Sequence, residues 1–221
     1  MCNLYAMMRS RDEVRSLFKV GSDRTGNQPP LPAIFPEQMA PVVVNRERER
    51  GIEMMRWGFP PPPNVAGSRS VTNVRNTKSA YWRGWLKPAF RCLVPATSFS
   101  ECQDGSKVPT WFALGQDRPL FAFAGIWRPW TGTKGTKAER QALVDLTGTD
   151  VQEHIMFAFL TAEPNGLVQP VHSKAMPVML TGGDCDTWLE ADTPIALELQ
   201  RPFPVERMTI VATGPHKDEA A

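Results

Sequence analysis

The sequence predicts an α+β fold in a single domain, with a mixed, barrel-like β core and a few short helices. Three observations lead there. Short runs of apolar and β-branched residues recur along all 221 residues, separated by turn signals. There are 21 prolines, roughly twice the ~5% of average usage, and proline disfavours long helices. Only a few windows carry helical caps or periodicity. Hydrophobic residues make up 42% of the chain and charged residues 22%, the usage of a globular protein. With no internal repeat and no clean linker, one domain is expected over residues 1–212, followed by a polar tail, 213–221.

Taken in order, residues 1–8 are apolar and strand-like. Ser10 to Glu13 fits a capping box opening a short helix that ends near Val20. Residues 21–36 read as a Gly/Pro/polar loop. Pro41–Asn45 is a buried strand, 46–50 a charged turn, and Ile52–Trp57 another strand, closed by the prolines from Pro60 to Pro63. Ser79–Trp85 reads as a short helix stopped by Pro88. Phe90–Val94, Thr110–Leu114, Leu120–Trp127 and His154–Thr161 are strand candidates, as are Pro177–Leu180 and Glu206–Ala212. A short loop between the first two of these is expected to deliver Glu101. Pro164–Val168 and Gly183–Ala191 look helical, and 131–138 a surface loop.

Composition excludes several classes. No stretch approaches the ~18 apolar residues of a membrane span, and Arg9, Arg11, Asp12 and Glu13 arrive too early for a secretory leader. A cytoplasmic chain with reduced thiols is expected. The four cysteines, Cys2, Cys92, Cys102 and Cys185, show no Cys-x-x-Cys spacing, so no metal site is expected. The net charge is only +2, but it is unevenly placed. Residues 54–100 hold seven cations (Arg56, Arg69, Arg75, Lys78, Arg83, Lys87, Arg91) and no acid, leaving 18 cations against 23 acids elsewhere. The same span carries Trp57, Phe59, Tyr81, Trp82, Trp85, Phe90 and Phe99. Cations interleaved with aromatics suit a phosphate backbone with unstacked bases. They equally suit a solvated face over an aromatic core.

Three positions offer chemistry. Removal of Met1 leaves Cys2 with an α-amine of pKa ~7.7–8.0 beside a thiol of ~8.5. An amine forms a Schiff base with an aldehyde, and the neighbouring thiol then closes a five-membered thiazolidine ring. Position alone also fits a small hydrophobe near a chain end. Glu101, just past an apolar strand, suits either a general acid/base or a surface charge. His172, among backbone-restricting residues, suits a positioned proton donor or a structural imidazole. His154 and His216 read as structural or solvated.

These pieces, in this order, resemble the SRAP family (SOS-response-associated peptidase fold), whose members react with abasic sites in single-stranded DNA. The motifs are Met1-Cys2, Trp57-Gly58-Phe59-Pro60, Asn73-Val74-Arg75, Arg91 to Cys102 around Glu101, Phe123-Ala124-Gly125-Ile126-Trp127, Thr161 to Asn165, and His172 to Pro177. Together they span roughly residues 1–190. Asn3 and Leu4 replace the family's Gly-Arg, Thr77 replaces an acid, and Ser100 and Cys102 replace Tyr and Trp beside Glu101. The resemblance implies that Cys2 attacks the ring-opened sugar aldehyde and ends as a thiazolidine crosslink. Asn73 would position the amine or the sugar, Glu101 shuttle protons, and His172 assist ring opening. Arg75, Arg69 and Arg83 would hold phosphates, Trp57 would stack on or wedge a base, and Thr161 would contact a phosphate. It implies abasic single-stranded DNA as partner, a monomer that associates with the nucleoid when bound to DNA, and no cofactor, metal or membrane. Two alternatives stand beside it: a thiol (auto)peptidase using Cys2, and a non-catalytic single-stranded DNA binder.

Overall fold

The structure, a computed structural model, describes residues 2–46, 49–61, 70–103 and 106–219. Fourteen strands are formed among them: β1 (Leu4–Met7), β2 (Ser22–Asp23), β3 (Leu31–Ile34), β4 (Met39–Arg46), β5 (Glu49–Trp57), β6 (Asn73–Val74), β7 (Arg91–Ala96), β8 (Ser98–Cys102), β9 (Pro109–Ala113), β10 (Phe121–Gly132), β11 (Gln152–Ala162), β12 (Met176–Pro177), β13 (Met179–Leu180) and β14 (Thr209–Thr213). The helices are α1 (Arg11–Leu17), α2 (Lys137–Thr147), α3 (Gly183–Glu190) and α4 (Thr193–Leu197).

Five strands close a barrel. β11, β10, β7, β4 and β5 pair antiparallel in that order, and β5 returns to β11 in parallel at Met156–Arg56 and Phe157–Trp57. The all-apolar stretch Val42–Val44 is buried because its strand lies between two barrel neighbours. A second, five-stranded sheet runs β14-β9-β8-β1-β3. Tyr5 on β1 and Phe99 on β8 reach Phe123 of the barrel, with ring centroids 5.6 and 6.2 Å apart, and so join the two sheets over one core.

The capping box forms as expected, with Glu13 N–H donating to Ser10 Oγ at 3.3 Å and Ser10 N–H to Glu13 Oε2 at 2.8 Å. Several local expectations are corrected. Residues 79–85 form successive tight turns, not a helix: Trp82, Arg83 and Trp85 N–H bond three residues back, while Trp82 is drawn down onto Phe59. Residues 164–168 also lack a helix, because Asn165 Oδ1 takes the N–H groups of Leu167 and Val168 and folds a turn. The loop expected over 131–138 instead ends β10 and opens α2, whose Thr136–Glu139 capping box and left-handed Gly148 (φ 78°) were both present in the sequence. The loop expected over 21–36 contains β2 and β3. The polar tail is docked through residue 218: Asp218 is 2% exposed, accepts from Arg118 Nε at 2.8 Å and Ser98 Oγ at 2.5 Å, and donates its N–H to Pro32 O. Among the described residues, no helix is long and apolar enough to cross a membrane.

Candidate functional site

Cys2 lies just before β1. Antiparallel pairing of Leu4 with Ser100 brings it against β8, the strand that carries Glu101. Its thiol donates to Leu4 O at 3.5 Å and lies 4.0 Å from Ser100 O. Cys2 is 1% exposed. Burial, and then the Glu101 carboxylate, push its thiol well above the ordinary value, so it is held as the neutral S–H.

Glu101 lies within β8 rather than on the expected loop, and it is buried. The hydroxyl-rich run Ser98-Phe99-Ser100 still forms a strand because β1 and β9 pair with it on both sides. Strand alternation puts Glu101 on the face of Phe99, toward the core.

Asn73 is on β6, paired in parallel with Phe159 of β11. Its side-chain amide donates to Cys2 O at 2.8 Å and approaches Thr72 Oγ1 at 2.7 Å. Thr72 Oγ1 in turn meets Asn3 Oδ1 at 3.1 Å. A polar chain therefore clamps the Cys2 backbone and the Asn3 side chain. Among the described residues, buried Asn73 Oδ1 and Thr161 Oγ1 have no hydrogen-bond partner, a state that normally costs stability.

His172 is buried at the end of the 166–171 turn, its N–H donating to Val168 O at 2.8 Å. Two residues on, Lys174 O accepts from the Arg75 guanidinium, which also engages Ala162 O and the Glu163 carboxylate. β12, which follows, pairs with Thr161 and Ala162. The Asn73–Arg75 segment, the end of β11 and the segment after His172 thus converge. Gln200 stitches them, donating to Arg75 O at 2.8 Å and Thr161 O at 2.9 Å while accepting from Thr77 Oγ1 at 2.8 Å.

The expected role of Trp57 as a base-stacking residue is corrected. Trp57 is 0% exposed, packed against Tyr5 and Phe159 with centroids 5.1 and 5.2 Å away, and offers no face to a base. Its indole N–H donates to Thr72 O at 3.1 Å, so it holds the segment that carries Asn73. Thr161 is likewise buried, at 1% exposure, and presents no hydroxyl at the surface for a phosphate. Arg75 is partly neutralised by Glu163, whereas Arg83 is exposed with no acid partner among the described residues. Arg69 lies outside the described residues. Among the described residues no cluster of three or more His, Cys, Asp or Glu side chains is placed to hold a metal.

Sequence reading missed Tyr5, Thr72, Asn3 and Gln200. Tyr5 is fully buried; burial, then Cys2 and Cys92, hold its phenol neutral. The apolar, strand-like run over residues 1–8 was its only sequence signal.

Comparison with known proteins places this geometry in context. The family model described as SOS response associated peptidase (SRAP) matches residues 1–215. The abasic site processing protein YoqW of Bacillus subtilis is 24% identical over 225 residues, covering 94% of this chain and 90% of that protein. The abasic site processing protein YobE of the same organism is 25% identical over 198 residues, covering 86% and 82%. A crystal structure of a protein from Bordetella bronchiseptica shares the fold with a TM-score of 0.72 at 21% identity, covering 95% of this chain and 98% of that one. One from Bacteroides thetaiotaomicron has a TM-score of 0.69 at 20% identity, covering 95% and 90%.

Proposed function

The chain belongs to the SOS response associated peptidase family, and from that premise we propose that it processes abasic sites in DNA by forming a covalent thiazolidine link through Cys2. The observation that carries this reading is the buried thiol of Cys2 beside Glu101, with its own carbonyl held by Asn73 at 2.8 Å. The names of the relatives, abasic site processing proteins, support the substrate.

The chemistry follows from the residues. Once Met1 is removed, the α-amine of Cys2 adds to the C1′ aldehyde of the ring-opened sugar. Loss of one water gives an imine. The Cys2 sulfur then adds to the imine carbon, its proton passing to the nitrogen, and the five-membered ring closes. A thiol held neutral needs a base at the moment of attack, and Glu101 is the carboxylate coupled to it. Asn73 fixes the Cys2 backbone so that the amine, thiol and aldehyde meet without a search. In this reading His172 protonates the sugar oxygen on ring opening, and Arg75 and Arg83 with Arg69 hold phosphates of a single strand. A lesion in a single strand is reached without unstacking a duplex.

The test is incubation with an abasic oligonucleotide followed by denaturing electrophoresis. A shifted band from the unmodified protein that disappears with Cys2→Ala supports the proposal; no band, or one indifferent to Cys2→Ala, rejects it. The family description favours one second reading, a thiol peptidase acting on the residue before Cys2. Intact mass in a host lacking methionine aminopeptidase separates the two. Met1 retained only when Glu101 is replaced indicates self-processing.

A further inference from the structure

The aromatic residues of the acid-free span divide into two groups. Trp57, Phe59, Trp82 and Phe99 are core. Tyr81, Trp85 and Phe90 are half-buried, and of these Trp85 meets a cation supplied by another element. The Arg128 guanidinium of β10 sits 4.7 Å from the Trp85 ring centroid, and that of Arg46, at the end of β4, 4.4 Å from the Trp127 centroid. Phe90 links the two, 4.9 Å edge-on from Trp85 and 5.6 Å from Trp127. Arg128, Trp85, Phe90, Trp127 and Arg46 thus form one contiguous cation–aromatic cluster, closed over buried Trp127 and open at Trp85 and Arg128, with exposed Arg83 and Lys87 flanking Trp85 in sequence. Arg46 pairs with Glu53 at 2.8 Å, while Arg128 has no carboxylate partner among the described residues and donates only to Pro129 O.

We propose that the open end of this cluster, Trp85 under Arg128, is a second platform for single-stranded DNA, distinct from the Cys2 pocket and reached by the strand after it leaves the lesion. A guanidinium held over an indole keeps its outer face for a base, and base stacking on such surfaces is tolerant of sequence. Lys87 supplies a phosphate contact, and Arg83, Lys87 and Arg128, none of them paired with a carboxylate among the described residues, leave the Trp85 end attractive to a polyanion. The position fits. Trp127 lies two residues along β10 from Gly125; Gly125 pairs with Phe159, and Phe159 pairs with Asn73. By strand spacing the platform begins on the order of 10–15 Å from Asn73. The choice of DNA rests on the abasic-site reading above, whereas the stacking surface itself does not.

The test uses the full chain in a Cys2→Ala background, so that no adduct chemistry enters, and an undamaged single strand of about 20 nucleotides, longer than one binding module covers. Fluorescence anisotropy is read for Trp85→Ala and Arg128→Ala, with circular dichroism melts as the control on folding. Each substitution weakens binding about tenfold, the loss of one stacked base. Arg128→Ala also lowers the slope of log K against log salt by about 0.7, and Trp85→Phe, which keeps a ring, restores most of the affinity. A change below twofold overturns the proposal, as does an equal loss on a duplex of the same sequence, which makes the patch a general electrostatic surface. Should Trp85→Ala fail to fold, Trp85→Phe combined with Arg128→Ala decides by the same criteria. Failure here leaves the crosslink reading intact, and failure of the crosslink leaves this assay interpretable.

Discussion

The side-chain amide of Asn73 donates to the main-chain carbonyl of Cys2 at 2.8 Å, across 71 residues of sequence. The hydrogen bond is buried and short, and it fixes the one residue on which the proposed chemistry depends. Asn73→Ala removes that restraint. Adduct formation at saturating abasic oligonucleotide is expected to slow by roughly tenfold to a hundredfold, the usual cost of a misplaced reacting group. Unfolding by denaturant should change by only about 1–2 kcal/mol. Single-turnover kinetics beside an unfolding titration separate the two; an unchanged rate removes Asn73 from the account.

Trp57 gives a prediction that runs against its expected role at the DNA. Because its ring is enclosed by Tyr5, Phe157 and Phe159, Trp57→Ala should cost about 3–5 kcal/mol of stability through the cavity it leaves. Trp57→Phe keeps part of the volume but leaves Thr72 O without its indole donor, a cost of about 1–3 kcal/mol. DNA affinity of the folded fraction should stay within twofold. A Trp57→Phe protein of native stability with weakened DNA binding would instead restore the stacking role.

The pH dependence follows from the thiols. Burial, and then Glu101, raise the Cys2 thiol above its ordinary value, so the rate of ring closure should climb with pH from neutral upward. Glu101→Gln removes the repelling charge, so the thiol titrates lower while the adduct forms more slowly for want of a base. Thiolate ultraviolet absorbance and adduct kinetics, measured together, report the two opposite movements. If both move the same way, Glu101 is not the base. A separate effect appears in stability. Burial, then Asp186 and Asp184, push Cys185 up to about 12. A raised folded value stabilises fully below the unfolded value of about 8.5 and is lost as pH rises toward 12. Stability should therefore fall progressively above about pH 9, and Cys185→Ser should flatten that fall.

Asp218 is held by Arg118 and Ser98 in a buried cluster. Asp218→Ala leaves the Arg118 guanidinium, 11% exposed, without its carboxylate, which is expected to destabilise by about 3–5 kcal/mol. Truncation after residue 214 should do the same and also free Trp111 Nε1 from Pro215 O. Thermal melts decide; an unaltered Tm in both would mean that the docked segment contributes nothing.

Much of this site is written in contiguous residues. Cys2, Asn73, Glu101 and His172 each lie in a short motif that resembles the family's, whereas Cys2, Glu101 and His172 taken singly fit a structural role as well, and Asn73 has a role only through the resemblance. The barrel strands were legible because Val42–Val44 and Phe121–Trp127 are apolar runs bounded by turn signals. What escaped depended on contacts far apart in the chain. Trp57 and Trp85 are the same residue type in the same acid-free span, and only the closing of β5 onto β11 decides that one is core and the other half-exposed. Thr77, which stands where the family has an acid, reads as a loss until Gln200, 123 residues away, is found bonded to it. β8 was hidden because hydroxyl residues look like loop until two neighbouring strands satisfy their backbone. α2 opens on the same kind of capping box as α1, Thr136 with Glu139, within the stretch whose glycines and threonines read as a loop.

The central claim, that Cys2 closes a thiazolidine ring on an abasic sugar, is tested most directly by the intact mass of the protein–DNA adduct. The account predicts a species equal to the Met1-free chain plus the abasic strand minus one water, absent with Cys2→Ala. No such species, or one that persists with Cys2→Ala, would contradict it.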